Sequence, residues 1–252
     1  MRLRISFLPS LAGLGGAAFS VIAWLSIGAP AATEPLPPLS EEERLNWTAI
    51  GLIETAAANP PVGCTGTLIA PDLVLTAAHC TGKDWAVADQ PNFLAGWNND
   101  VFLAQRQAST AAIHPLYLLT EVPERFRYDI ALIRLQRQIP PERVPPLPLA
   151  DGAAANPLGI VAYHNQQSGR VHGRFDCLQL GSAVDTFLRI DCEVVSGNSG
   201  APVLVRQDNG WAVAAVVVAR AEPGGQALAV AVSDWIVDKW REAMSRADTT
   251  SN

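Results

Sequence analysis

No run of lysine and arginine occurs anywhere in the 252 residues, and acidic side chains outnumber basic ones 24 to 18, a formal charge of -6. That balance provides no local basic surface for a nucleic-acid backbone. Charged residues are scarce at 17%, against 49% hydrophobic. The chain can therefore bury a large core and is neither disordered nor fibrous. Internal repeats and low-complexity tracts are also missing, which leaves one or two compact units. The four cysteines contain no C-x-x-C pair, and this removes the usual metal and thiol-redox motifs. No cofactor or metal is called for, and the partners that remain are small soluble molecules or other proteins.

The amino terminus carries an export pattern. Met1-Arg2-Leu3-Arg4 precedes an uncharged run from Ile5 to Ile27 and then Ala29-Pro30-Ala31, matching the basic, apolar and small-residue regions of a secretory signal. Cleavage is expected after Ala31, with a secreted or periplasmic product. The 23-residue run is also long enough to serve as an uncleaved anchor. Pro9, Gly13, Gly15 and Gly16 weigh against a continuous membrane helix, so the cleaved signal is the reading taken, with no membrane association afterwards. Loss of Arg2 and Arg4 leaves 16 basic against 24 acidic side chains. In an exported chain Cys64, Cys80, Cys177 and Cys192 suggest two disulfides. Three pairings are formally possible, and sequence proximity favours Cys64–Cys80 and Cys177–Cys192; one bridge and two buried thiols is the alternative.

Residues 32–46 are rich in Pro, Ala and Glu without apolar periodicity and read as a flexible leader or short propeptide. The folded part is expected to begin near Trp47. From there short apolar or alternating runs, broken by Gly, Pro, Asn and Asp, indicate an antiparallel all-β chain. Strands are expected at Ala49–Glu54, Thr65–Ala70, Leu73–Thr76, Asn92–Gly96, Val101–Gln107 and Ile130–Arg134. A proline-dense linker, Ile139–Pro148, separates them from a second set at Gly159–Tyr163, Leu188–Cys192, Ala201–Val205, Trp211–Ala219 and Ala227–Val232. This divides residues 47–246 into barrels at about 47–138 and 147–232 and a terminal helix at 233–246. Ser233 is expected to cap that helix, with Trp235, Ile236, Trp240, Ala243 and Met244 on its apolar face.

Three separated stretches carry chemistry. Gly197-Asn198-Ser199-Gly200-Ala201-Pro202 places a serine between glycines, a pattern of low specificity alone because Gly-Ser turns are common. Thr76-Ala77-Ala78-His79-Cys80 adds a histidine, and Asp129 heads an apolar strand. Acyl transfer at neutral pH needs a nucleophile, a base, an acid to orient the base, and N–H donors for the oxyanion. Ser199, His79, Asp129 and the backbone N–H groups of Gly197 and Ser199 fill those roles in turn. A Cβ at residue 197 would hinder the backbone conformation that turns both donors to one point.

These residues, with Gly63-Cys64-Thr65-Gly66-Thr67-Leu68-Ile69 before the histidine and His114-Pro115-Leu116-Tyr117 and Tyr128-Asp129-Ile130-Ala131-Leu132 around the acid, resemble the trypsin/chymotrypsin-like serine proteases in the order His, Asp, Ser. The resemblance covers about residues 47–246. It implies two antiparallel six-stranded β-barrels with a C-terminal helix, a cleft site between the barrels, a Cys64–Cys80 bridge beside the histidine, and a monomeric enzyme acting on proteins or peptides. Two departures from the family's GDSGGP block, Asn198 and Ala201, make this stretch similar to the bacterial V8-like, glutamyl-endopeptidase-related branch. A neutral Asn198 cannot form the ion pair by which the trypsin branch answers a newly cut amino terminus, and Ile50-Gly51-Leu52-Ile53 is not the Ile-Val-Gly-Gly of that branch. Activation by such a cut is therefore not expected.

Substrate choice is less legible. Glu193, six residues before Ser199, has the spacing of an acid at the base of a primary pocket in trypsin-like enzymes; the alternative places it in solvent. Val217, Val218 and Ala219 are expected to form an apolar wall without the histidine associated with glutamate specificity. His164 and His172 read as solvated surface histidines in a polar loop, His114 as structural, Asp191 as a local hydrogen-bond acceptor, and Trp97 and Trp211 as barrel core. The rival from another class is a catalytically inactive, protease-like binding or regulatory module, which the same fold supports.

Overall fold

The computed structural model describes residues 35–54, 63–81, 90–152, 154–165, 169–181 and 186–250. The expected signal segment lies outside them, and no helix among the described residues is long and apolar enough to cross a membrane. Residues 32–252 form one compact unit.

Its first half is a closed barrel of β1 (Ile50–Glu54), β2 (Gly63–Ala70), β3 (Leu73–Thr76), β4 (Asn92–Ala95), β5 (Ala104–Ile113) and β6 (Ala131–Leu135), in the order β1-β2-β3-β6-β5-β4 with β1 also paired to β4. The second half is a six-stranded antiparallel sheet of β7 (Leu158–Tyr163), β8 (Val171–Cys177), β9 (Phe187–Glu193), β10 (Pro202–Gln207), β11 (Gly210–Arg220) and β12 (Gln226–Ala231), ordered β8-β7-β10-β11-β12-β9. Among the described residues a single α-helix, α1 (Asp234–Thr250), follows the second sheet.

The strands read as nearly continuous apolar runs because both faces are covered. Successive side chains of a strand point to opposite faces. In β7, Leu158, Ile160 and Ala162 enter the core of the second sheet with Val203, Val205, Ala215 and Val217. Their alternates Val161 and Tyr163 join Ile50, Leu52, Leu75, Leu132, Leu204 and Val216 in a core between the halves. A third cluster, with Ile53, Leu68, Val74, Phe93 and Ile133, fills the first barrel. The helix lies on the first barrel: Ile236 and Ala243 are buried, and Trp240 Nε1 donates to the Ile69 carbonyl at 2.9 Å. Ser233 precedes it, but its buried hydroxyl has no partner, so it does not cap; Met244 is 37% exposed rather than on the packed face.

The second sheet closes by devices other than a strand ladder. Its edge strands β8 and β9 are joined by the Cys177–Cys192 disulfide, and Asp191 accepts from Leu178 N at 2.7 Å. At the other end the segment from Pro35 to Leu39 runs against β8, with Gly173 N donating to Pro37 O at 2.9 Å and Leu39 N to Val171 O at 3.0 Å, while Pro35 bridges to Glu193 of β9. Leu36 is 2% exposed inside the second core. The expectation of a loose leader over 32–46 is thus corrected: residues 35–46 belong to the fold. Three prolines in five residues hide any periodicity, yet Pro is acceptable along an edge that needs few N–H donors. β8 is a second correction, because the polar loop expected over Asn165–Gly173 takes in its first three residues and no strand is expected over the rest. Strand β5 also lies further along than expected, with Val101 exposed in a turn before it.

If Leu36 is a closing wedge, Leu36→Ala should lower unfolding stability by about 2–5 kcal/mol, the range for a buried leucine. Urea unfolding of the variant against wild type measures it; a change below about 0.5 kcal/mol, within the ordinary range for surface positions, would place Leu36 outside the cooperative core.

Candidate active site

Antiparallel pairing of Thr76 on β3 with Ala131 on β6 puts the residues just beyond those ends beside one another. His79 sits in a 3-10 turn, Ala78–Thr81, that follows β3, and its neighbour Cys80 is bonded to Cys64 on β2. Asp129 is the terminal residue of another 3-10 turn, Glu124–Tyr128, just before β6. Its carboxylate, 2% exposed, accepts two bonds from the same residue: His79 N at 2.8 Å and His79 Nδ1 at 2.7 Å. A carboxylate only accepts, so Nδ1 carries a proton, and in the neutral ring this tautomer leaves the lone pair on Nε2. The His79 side chain is 37% exposed, open to the cleft. His114 stacks on Tyr128 and Trp235 behind this turn, the structural role expected of it.

Ser199 comes from the other half, in the loop joining β9 to β10. Asn198 beside it is fully buried. Its amide nitrogen donates to Tyr163 O at 2.7 Å and its oxygen accepts from Val195 N at 2.8 Å. Only a neutral amide can do both; an aspartate would set an anion against the Tyr163 carbonyl. Gly197 has φ +99, and a Cβ there would lie 2.7 Å from Asn165 N and 2.9 Å from Tyr163 O. Both strain and collision therefore demand glycine. Ser196 O accepts from Asn165 N at 3.0 Å and Asn198 O accepts from Ala201 N at 3.0 Å. A trans peptide points its N–H opposite to its C=O, so the Gly197 and Ser199 N–H groups turn away from those partners. Among the described residues neither N–H is donated to a protein acceptor.

A cavity of about 610 Å³ opens beside Ser199, lined by Val194, Val195, Ser196, Asn198, Val217, Ala219 and Arg220. Val217 and Ala219 lie where the sequence puts an apolar wall. Glu193 does not line it: its side chain lies against Gly225, where an added Cβ would meet its Cγ at 2.6 Å. Arg220, which the sequence reading passed over, supplies the charge among these lining residues and pairs with Glu222 at 3.0 Å. Thr65 was also missed as a functional candidate; it contacts the serine loop through both main chain and side chain. Cys64, His79 and Cys80 cluster closely, but the two sulfurs are committed to each other, so no metal set remains there.

His164 and His172 are not solvated. They are 5% and 1% exposed and stack with ring centroids 3.9 Å apart, one residue before Asn165 and at the point where Pro38 meets β8. His172 is covered where Pro38 meets β8, and His164, just past the end of β7, stacks on it. Burial and then the neighbouring ring bring the His164 pKa down to about 4, and burial lowers that of His172 as well.

The histidine and acid thus come from the first barrel and the serine from the loop between β9 and β10 of the second sheet, so the candidate residues are divided between two β-structures. The family model for the trypsin-like peptidase domain matches residues 64–230, and the chain belongs to that family, a serine endopeptidase by class. Similar solved structures include a Glu endopeptidase crystallised with MPD, at TM-score 0.64 and 18% identity over 84% of this chain and 98% of that one. The VesB protease of Vibrio cholerae gives 0.63 and 18% over 81% and 66%. A thermostable serine protease, AL20, from an extremophilic microorganism gives 0.63 and 14% over 79% and 97%. These likenesses bear on the fold. No curated protein matches the sequence.

Asn198→Asp should cost about 2–4 kcal/mol of stability near pH 8, beyond the roughly 1–3 kcal/mol of an unsatisfied buried group because a charge is involved. Part should return at pH 5 as the carboxyl protonates and regains a donor; denaturant unfolding at both pH values, relative to wild type, measures this. Separately, His164 has a folded pKa below its unfolded value, so its neutral form stabilises the fold fully above about pH 6.5 and the contribution drains away as pH falls toward 4. Wild type should lose stability across that window more steeply than His164→Gln, by on the order of 2 kcal/mol; parallel curves would show that the pair does not titrate with folding.

Proposed function

We propose that the protein cleaves peptide bonds through an acyl-enzyme on Ser199. The observation that carries the reading is the pair of hydrogen bonds that His79 N and Nδ1 donate to Asp129, which fixes ring and tautomer together. In the reaction Ser199 Oγ attacks the scissile carbonyl carbon while its proton passes to His79 Nε2. The imidazolium so formed is stabilised by Asp129, which stays ionised. The carbonyl oxygen becomes an oxyanion held by the Gly197 and Ser199 N–H groups. Collapse of the tetrahedral intermediate breaks the C–N bond, and His79 returns its proton to the leaving amine. A water activated by the same histidine then hydrolyses the ester and restores Ser199. No cofactor takes part.

The loop that holds the donors is tied down by Asn198, not by an incoming amine, and Ile50 is fully buried within β1. Both observations support an enzyme that needs no cut at Ile50, as in the V8-like branch. The Arg220 cation in the lining and the exclusion of Glu193 from it weigh against Arg or Lys before the scissile bond, and Val217 and Ala219 favour small or apolar side chains there. Two disulfides and the signal-like amino terminus support export to the cell exterior or periplasm, and a monomer is the expected form.

A neutral peptidyl phosphonate should label wild type at Ser199, and Ser199→Ala or His79→Ala should abolish labelling and lower kcat by roughly a million-fold. On chromogenic peptides varied at the residue before the cut, Glu193→Gln should leave the order of preference unchanged. Wild type that neither labels nor hydrolyses any peptide would mean a binding module instead.

A further inference from the structure

Thr65 is fully buried on β2 of the first barrel, yet every polar group it has is engaged with the second half or with the histidine strand. Its N–H donates to Ser199 O at 2.8 Å, and its hydroxyl donates to Gly197 O at 2.9 Å. The same hydroxyl accepts from Tyr163 N at 3.0 Å, on β7, and its carbonyl accepts from Thr76 Oγ1 at 2.9 Å, three residues before His79. Gly200 rests on the Thr65 carbonyl and the Thr76 hydroxyl, where a Cβ would overlap both.

We propose that Thr65 is a positioning residue for the oxyanion site, a first-barrel residue whose hydroxyl and main-chain N–H help set the orientation of the two N–H donors carried by the second half. This rests on the reading of Ser199 as nucleophile. A donor N–H is aimed by the two peptide planes that flank its residue. At Gly197 the preceding plane is held by Asn165 N on Ser196 O, and the following plane is held by the Thr65 hydroxyl. At Ser199 the preceding plane is held by Ala201 N on Asn198 O, and the following plane by Thr65 N–H. Thr65 thus supplies one of three fixings at each donor, the third being Asn198 N on Val195 O at 3.0 Å in the plane after Gly197 and Gly200 N on Val217 O at 2.7 Å in the plane after Ser199. The hydroxyl matters most at Gly197, because a glycine at positive φ has no Cβ to restrict it and many alternative rotations are open. Without that hydroxyl the Gly197 carbonyl loses its donor, its plane is held through Asn198 N on Val195 O alone, and the buried Tyr163 N–H loses its acceptor. Through Thr76 the same residue keeps the serine loop in register with the strand that delivers His79.

The test compares Thr65→Val, Thr65→Ala and Thr65→Ser on a neutral chromogenic peptide, with two further measurements. One is affinity for a peptide boronate, whose tetrahedral adduct puts an oxygen among the two donors. The other is affinity of the Ser199→Ala background for an uncleaved peptide, which makes no such demand. Removing one direct donor costs roughly 100- to 1000-fold in kcat, so losing its alignment should cost roughly 10- to 100-fold in the Val and Ala variants. KM and plain peptide binding should move less than about threefold, boronate affinity should fall with kcat, and Thr65→Ser should recover most of both. The proposal is overturned if Thr65→Val keeps kcat within about twofold. It is equally overturned if kcat falls while boronate affinity does not, if folded Thr65→Ser fails to recover, or if the Val and Ala variants do not fold, which would make the hydroxyl a prop of the fold alone. Failure of wild type itself to label with phosphonate would instead remove the nucleophile reading beneath it.

Discussion

Gly200 lies directly on the Thr65 carbonyl, with no room for a side chain between the halves of the molecule, and the rest of the site depends on that closeness. The serine belongs to the second sheet and the histidine and acid to the first barrel, so each half can fold correctly and still present a useless constellation. Apolar packing alone is too forgiving to set such a register, because dispersion and burial change little over a few tenths of an ångström. Directional bonds between buried groups are less forgiving, since a misplaced one leaves its donor unsatisfied. Thr65, Asn198 and Tyr163 concentrate those bonds where the serine loop crosses β2, inside the apolar core between the halves.

The division of labour across the site follows from the same principle. Asp129 holds His79 through short bonds within one barrel, where β3 and β6 already pair and little else is needed. The serine loop is not part of a strand ladder and is held instead by individual hydrogen bonds to Thr65 of β2, Tyr163 of β7 and Val217 of β11. Gly197 costs conformational entropy in such a loop, and the bonds to Ser196 O and Gly197 O limit what that freedom can do.

What the sequence revealed depended on whether the deciding interaction was local. Most strands were legible because a strand buried on one or both faces writes itself as an apolar run or alternation, as in Leu73–Thr76 and Trp211–Ala219. His79, Asp129 and Ser199 were legible as residue types whose chemistry requires particular neighbours. β8 was not, although Val171, Gly173, Phe175 and Cys177 alternate with His172, Arg174 and Asp176, because polar side chains on the second face imitate a loop. Pro35–Leu39 was hidden because its structure comes from the edges it touches and from one leucine, with no pattern of its own. Thr65 was invisible as a site residue for a further reason. A threonine in a strand is ordinary, and its importance lies in partners about a hundred and more residues away, Tyr163, Gly197 and Ser199.

Asn198 shows why these two kinds of information belong together. From sequence it says what is missing, a carboxylate able to receive an amine. In the fold it says what replaces that arrangement. An aspartate in this position would accept from Val195 N as well as asparagine does, but it could offer nothing to Tyr163 O, and a buried anion would then need a cation brought from elsewhere. The amide supplies acceptor and donor within one neutral group. A loop satisfied in this way is complete once the chain has folded. On the proposed reading of this loop as the oxyanion site, one NH2 group in place of an oxygen leaves nothing for a newly cut amine to complete.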